Sequence, residues 1–210
     1  MNLPDPWKLK IYNQEEDVAA LIEFMENCRE DGATNNDSLW SLGWQRMLDQ
    51  NGLVTLLYYD EEIAGMSYTH DFSNYIPYTF RCLSRTHTLG KYRGMFPKAE
   101  APTSGLSGKG KAIQTGIGIN VLGLPLQIEH ALSMGAKQCD LTTHSKKQFN
   151  DPDRGSSVMP TSVKLNNIFE RAVRNGDPRL TLVETRRIYG VDQNVWRCNF
   201  KDFTDIKDPI

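Results

Sequence analysis

The 210-residue chain predicts one α+β domain, an α/β three-layer arrangement in which a mixed, twisted sheet is flanked by helices. Two observations carry this. Segments with apolar residues at helical spacing are interspersed among alternating or β-branched runs, in the order β-α-α-β-β-β-α-β-α-β-β. In addition, Gly116 and Gly118 form a Gly-x-Gly pair that opens an apolar-faced stretch, and this closes on a short strand ending Thr142, Thr143 and His144.

The elements follow in order. Residues 8–12 (KLKIY) alternate polar and apolar side chains, as a half-buried strand does. Asn13 and Glu16 form a capping box with Asn in place of Ser or Thr, and Val18, Leu21, Ile22, Met25 and Cys28 recur at helical spacing to about residue 30. Residues 31–37 (DGATNND) form a loop, and a shorter helix starts near Ser38 with Trp40, Trp44, Met47 and Leu48 on one face. Residues 53–59 (LVTLLYY) suit a pleated surface, Asp60, Glu61 and Glu62 turn, and 63–71 return as the hairpin partner. Past a loop at 74–77, residues 78–89 form a long strand.

Residues 95–115 read as a surface insertion, with Pro97, Pro102 and the run SGLSGKGK. Residues 119–134 then place Leu122, Leu126, Ile128, Ala131 and Leu132 on an apolar face, with Gly135 as the helix stop. Pro125 either kinks this helix or marks the start of its regular part. Residues 139–144 form a strand and 146–160 a loop. A helix capped by Thr161 or Ser162 carries Leu165, Ile168, Phe169 and Ala172 and stops at 175–178. Residues 180–188 and 194–200 make a closing hairpin across 190–193, and a loose tail runs from 201 to 210.

Composition bounds the function. Apolar residues are 39% and charged residues 24%, an ordinary globular profile, and a net charge of −2 argues against bulk capture of nucleic acid. No apolar run approaches the roughly 20 residues that span a bilayer, and the first ten residues hold no signal-peptide core. Cys28, Cys82, Cys139 and Cys198 lie far apart with no C-x-x-C pair. Metal-site spacing is absent, and reduced cysteines in a cytoplasmic protein are the expectation.

Glycines opening a helix are suited to an anion, because unpaired N–H groups and the helix dipole face it there. With this element order, the chain resembles the GNAT superfamily of acyl-coenzyme A transferases, whose signature loop R/Q-x-x-G-x-G/A lies between the fourth strand and the third helix. Arg93, Gly94, Gly116 and Gly118 match that loop if 95–115 are inserted where one residue normally sits. Residues 139–144 fall where the family's fifth strand belongs.

The resemblance implies a fold whose fourth and fifth strands splay apart to admit the arm of acetyl-coenzyme A. It also implies direct attack by an amine acceptor. It places Thr88, Leu89, Arg93, Gly94, Gly116, Ile117, Gly118 and Asn166 (or Asn167) against coenzyme A. The family's general-acid Tyr has no counterpart in residues 166–174 (NNIFERAVR).

His87, near the end of the long strand, and His144, ending the fifth, are the candidates to accept a proton, and Tyr189 is the candidate acid. Solvated or hydrogen-bonded strand histidines are the plainer alternative. His70 and Asp71 either line an acceptor pocket or serve a turn, and His130 reads as an exposed helix residue. Three readings follow: an N-acyltransferase, acetyl in the first instance, acting on a small molecule or protein; a GNAT-shaped protein that binds through the cleft without catalysis; and a nucleobase-modifying relative, motivated by Arg81, Arg85 and the basic insertion. The closing hairpin is also open to pairing with a second copy as a homodimer.

Overall fold

The structure, a computed structural model, describes residues 3, 5–30, 48–92, 95, 122–145, 166–167, 169–171, 173–174, 176, 180–188 and 190–198. Its elements are β1 (Trp7–Ile11), α1 (Gln14–Glu30), β2 (Leu53–Tyr59), β3 (Glu62–Asp71), β4 (Thr79–Thr88), a 3-10 turn (Gly90–Tyr92), α2 (Leu124–Ser133), β5 (Gln138–His144), β6 (Leu180–Ile188) and β7 (Val191–Cys198). Helical backbone also occurs at Leu48 and Asp49 and at the described positions between 166 and 174. The expected helix near Ser38 and the 95–115 insertion otherwise fall outside the described residues, as does the 201–210 tail.

Among the described residues, seven strands form one sheet in the order β1-β2-β3-β4-β5-β7-β6. Every neighbouring pair is antiparallel except β4 and β5, which run parallel. One apolar cluster joins Leu21, Phe24 and Cys28 of α1 to Val54, Leu56, Met66 and Tyr68 of β2 and β3. A second joins Leu124, Ile128 and Ala131 of α2 to Phe80, Cys82, Cys139, Leu141 and Trp196. All four cysteines are buried. Among the described residues no helix is long and apolar enough to cross a membrane.

Local chemistry explains where the elements start and stop. Asn13 caps α1, its Oδ1 accepting from the Glu15 N–H at 3.0 Å. The reciprocal carboxylate is Asp17 rather than the expected Glu16: Asp17 Oδ2 accepts from the Asn13 N–H at 2.7 Å, while Glu16 is turned to Lys10. Tyr58 and Lys10 also reach Asp17, which accounts for its burial at the helix start.

Helix α2 begins at Leu124 with Pro125 in its first turn, so the proline starts the regular helix and does not kink it. It ends in a Schellman motif: Gly135, at φ 84°, donates to Leu132 O, and Ala136 donates to Ala131 O. The closing turn is shorter than the expected 190–193. Gly190, at φ 78°, supplies the left-handed residue of a tight connection, and β7 starts at once with Val191.

Candidate active site

The parallel pair at the middle of the sheet is paired only at its start. Thr79, Phe80 and Arg81 of β4 stand opposite Gln138, Cys139 and Asp140 of β5, and there the pairing ends. Both strands continue, β4 to Thr88 and β5 to His144, but the ladder between them does not extend past Arg81 and Asp140. The central strands are therefore splayed towards their carboxyl ends, where ligands bind in open α/β sheets.

Two irregularities in β4 produce this. Its register with β3 runs Met66–His87, Tyr68–Ser84, His70–Arg81, so that twice two steps along β3 match three along β4. Each is a bulge on β4, which bends a strand and raises its twist. Leu83, between two of these pairs, has φ 48°, a left-handed conformation that is uncommon for a branched apolar residue.

Side chains of the chain itself take up the backbone groups of Leu83. Its N–H donates to Gln127 Oε1 at 2.8 Å, and its carbonyl accepts from Thr86 Oγ1 at 2.8 Å. Gln127 lies on α2, fully buried, and its Nε2 donates to Thr55 Oγ1 at 3.0 Å and to Ser67 Oγ at 2.9 Å. One amide thus links α2 to β2, β3 and the bulge of β4, with its acceptor and both its donors in use. The close seating of α2 depends on Gly123 at its N-cap, where a Cβ would stand 2.4 Å from Thr55 Oγ1.

The two arms of the splay end in the histidines singled out from sequence. His87 is half-buried opposite Met66, followed by buried Thr88 and Leu89, the latter donating to Ala64 O. His144 is half-buried at the last position of β5, opposite Gln193. Because β4 and β5 are parallel, both residues lie at the same end of the opening. Burial pushes the His144 imidazole below its ordinary value, and the positive charge of Arg81 pushes it the same way. It is therefore neutral near pH 7 and able to take a proton.

The two faces of β5 differ in chemistry. On one face Asp140, fully buried, receives both Nε (3.0 Å) and Nη2 (3.2 Å) of Arg197. Burial raises the Asp140 carboxyl above the usual range, and Arg197 opposes that rise. On the other face Thr143 Oγ1 accepts from Trp196 Nε1 and donates to Asn166 Oδ1 at 2.9 Å, and the same Oδ1 accepts from Asn194 Nδ2 at 2.7 Å. Asn166 Nδ2 donates to Glu170 Oε1.

Asn166, expected against coenzyme A, is consequently fully buried and engaged in holding a helix to β5 and β7, whereas its neighbour Asn167 is exposed. Arg93, Gly94, Gly116, Ile117, Gly118 and Tyr189 lie outside the described residues. His70 lies within β3, buried and opposite Arg81, with its Nδ1 2.9 Å from Asp71 O, whereas Asp71 ends the strand and its Oδ1 accepts from the Ser73 N–H. His130, expected to be free in solvent, is half-buried, its Nε2 at 2.7 Å from Asn51 O. Among the described residues, no group of His, Cys, Asp and Glu is placed to hold a metal ion.

The sequence reading missed Gln127 and the bulge at Leu83. The one available signal was a polar residue at position 127 inside the 124, 128, 131 spacing of a buried stripe.

No family model and no curated protein sequence matches the chain. Solved structures do. A protein from Desulfovibrio desulfuricans assigned to the GNAT family of acetyltransferases has 10% identity, with 92% of this chain and 99% of that one covered and a TM-score of 0.53. The aminoglycoside N-acetyltransferase AAC(6')-Ib11 has 8% identity, with 95% of this chain and 99% of that one covered and a TM-score of 0.50. At such identities the likeness concerns the path of the chain, and together with the parted central strands it shows that this protein has a GNAT-like fold.

Proposed function

We propose that the protein is an N-acyltransferase that moves an acyl group, acetyl in the first instance, from coenzyme A to an amine of a small molecule or protein. The observation that carries this reading is the opening between β4 and β5 beyond Arg81 and Asp140. An intact parallel ladder has no room for a pantetheine chain, whereas two strand edges that part offer amide and carbonyl groups to one.

Thr88, the last residue of β4, and Leu89 after it are assigned to the coenzyme A arm, and Arg93, Gly94, Gly116, Ile117 and Gly118 to the diphosphate. Bound there, the thioester supplies an activated carbonyl. His144 takes the proton that the amine nitrogen loses as the N–C bond forms and the C–S bond breaks, and its lowered basicity leaves it unprotonated for that task. His87, on the opposite arm, is the alternative base. Tyr189 is assigned to return a proton to the departing sulfur.

Acetyl-coenzyme A at saturation should raise the thermal midpoint, since a ligand that binds only the native state stabilises it. Thiol release with members of an amine panel would then establish transfer. A second reading, binding without catalysis, draws support from Asn166, which is spent on the core, and from the absence of Tyr between 166 and 174. Stabilisation without thiol release from any amine would favour it. Localisation in the cytoplasm, the acceptor and pairing with a second copy stand as parts of the same proposal.

A further inference from the structure

We infer that Gln127 is a positioning residue for the acyl end of the thioester, acting through the backbone of β4. This rests on the acyl-transfer reading. Four facts converge on it. The pairing of β4 with β5 ends at Arg81. Leu83, two residues on, is held at φ 48°. Its N–H is bonded by Gln127 Oε1 and its carbonyl by Thr86 Oγ1, both at 2.8 Å. Gln127 is itself fixed by Thr55 and Ser67, and all three residues are buried.

A left-handed residue in mid-strand rotates the peptide planes that follow it. Without Gln127, the N–H of the half-buried Leu83 would lose its acceptor, and re-pairing with β5 would be its simplest remedy. Gln127 removes that incentive. It keeps the splay open in the free protein and fixes the direction in which the β4 edge from Ser84 to Thr88 presents its amides. The acyl carbonyl, entering between the strands, meets that edge. The nucleotide end, farther out, does not depend on it.

The test uses the full chain, with coenzyme A and acetyl-coenzyme A as probes and backbone amide resonances of residues 83–88 as the readout. In the wild type, acetyl-coenzyme A shifts these amides beyond the shift that coenzyme A causes, and the Leu83 amide exchanges slowly without ligand. In Gln127→Met, affinity for coenzyme A stays within about threefold. The acetyl-specific shift is lost and Leu83 exchange accelerates by roughly tenfold, the value of one hydrogen bond.

Gln127→Glu retains an acceptor for Leu83 and restores the acetyl-specific shift at acid pH, where the buried carboxyl is neutral. Thr86→Val, which spares Gln127, weakens the same shift and covers the case in which Gln127→Met does not fold. If the acetyl-specific shift persists in both Gln127→Met and Thr86→Val, the inference is wrong while the acyl-transfer reading stands. If wild-type protein binds coenzyme A but shows no acetyl-specific response, the inference again fails alone. If wild-type protein binds neither probe, the reading beneath it has failed.

Discussion

The hydroxyl of Thr55 occupies the place that a side chain on Gly123 would need: a Cβ there would lie 2.4 Å from Thr55 Oγ1. The same oxygen accepts from Gln127 Nε2 at 3.0 Å. The glycine therefore sets how closely α2 approaches β2, and that approach decides whether Gln127 can span from Thr55 to Leu83. Gly123 has an ordinary helical backbone (φ −77°), so proximity alone excludes a side chain.

Gly123→Ala is expected to cost about 1–3 kcal/mol, the usual range for overpacking a close contact. Urea unfolding monitored by circular dichroism measures this. Combined with Thr55→Ala, which removes the clashing hydroxyl and methyl, the double variant should be more stable than the sum of the single effects predicts. Strict additivity would show that the two residues are not in contact.

Asn166→Leu should lower stability by about 2 kcal/mol, because Thr143, Asn194 and Glu170 each lose a buried partner. Asn167→Ala, at an exposed neighbour, should leave the unfolding midpoint unchanged. If coenzyme A affinity falls with Asn167→Ala and not with Asn166→Leu, the cofactor-facing asparagine is the exposed one.

Arg197→Met leaves the Asp140 carboxylate buried without its two donors. An uncompensated buried charge costs about 3–5 kcal/mol, reduced here to about 2–3 because the guanidinium is partly solvated. Burial already raises the folded-state value of Asp140 above the unfolded one, so the native protein binds the proton more readily, and this contribution to stability is lost as pH rises through the raised value. Removing Arg197 raises it further. The deficit of the variant should therefore shrink as pH is lowered, and a deficit independent of pH would contradict the assignment.

His144 has the opposite linkage. Its folded value lies below the unfolded 6.5, so the unfolded chain takes up the proton first, and stability falls as pH drops through 6.5 towards the folded value. If His144 is the base, the acetyl-transfer rate falls on acidification, with a midpoint below 6.5. His144→Gln lowers kcat by about 100-fold and flattens that limb. An unaltered acid limb in His144→Gln would move the role to His87.

Much of this architecture can be read from residue pattern, because pattern reports burial. The α1 stripe, the β2–β3 hairpin and the β5 run are each dominated by a single period, and they occur within a residue or two of where the period puts them. The bulges of β4 are illegible in TFRCLSRTHT, since an inserted residue changes the partner strand's register without altering composition.

Gln127 was hidden for another reason. The spacing predicts an apolar face through Leu122, Leu126, Ile128, Ala131 and Leu132; of these Leu122, Ile128 and Ala131 are buried and Leu132 is exposed, and the buried stripe also takes in Leu124 and Gln127. A polar side chain is invited into a core only when acceptors and donors on three strands converge on it, and that convergence exists only in the folded sheet.

The most direct measurement is a crystal structure of the protein with coenzyme A. The account predicts the pantetheine arm between β4 beyond Arg81 and β5 beyond Asp140, with Gln127 still bonded to Leu83 and with His87 and His144 at the mouth. Coenzyme A bound elsewhere on the surface, or β4 and β5 closed into a continuous ladder to Thr88 and His144, would contradict it.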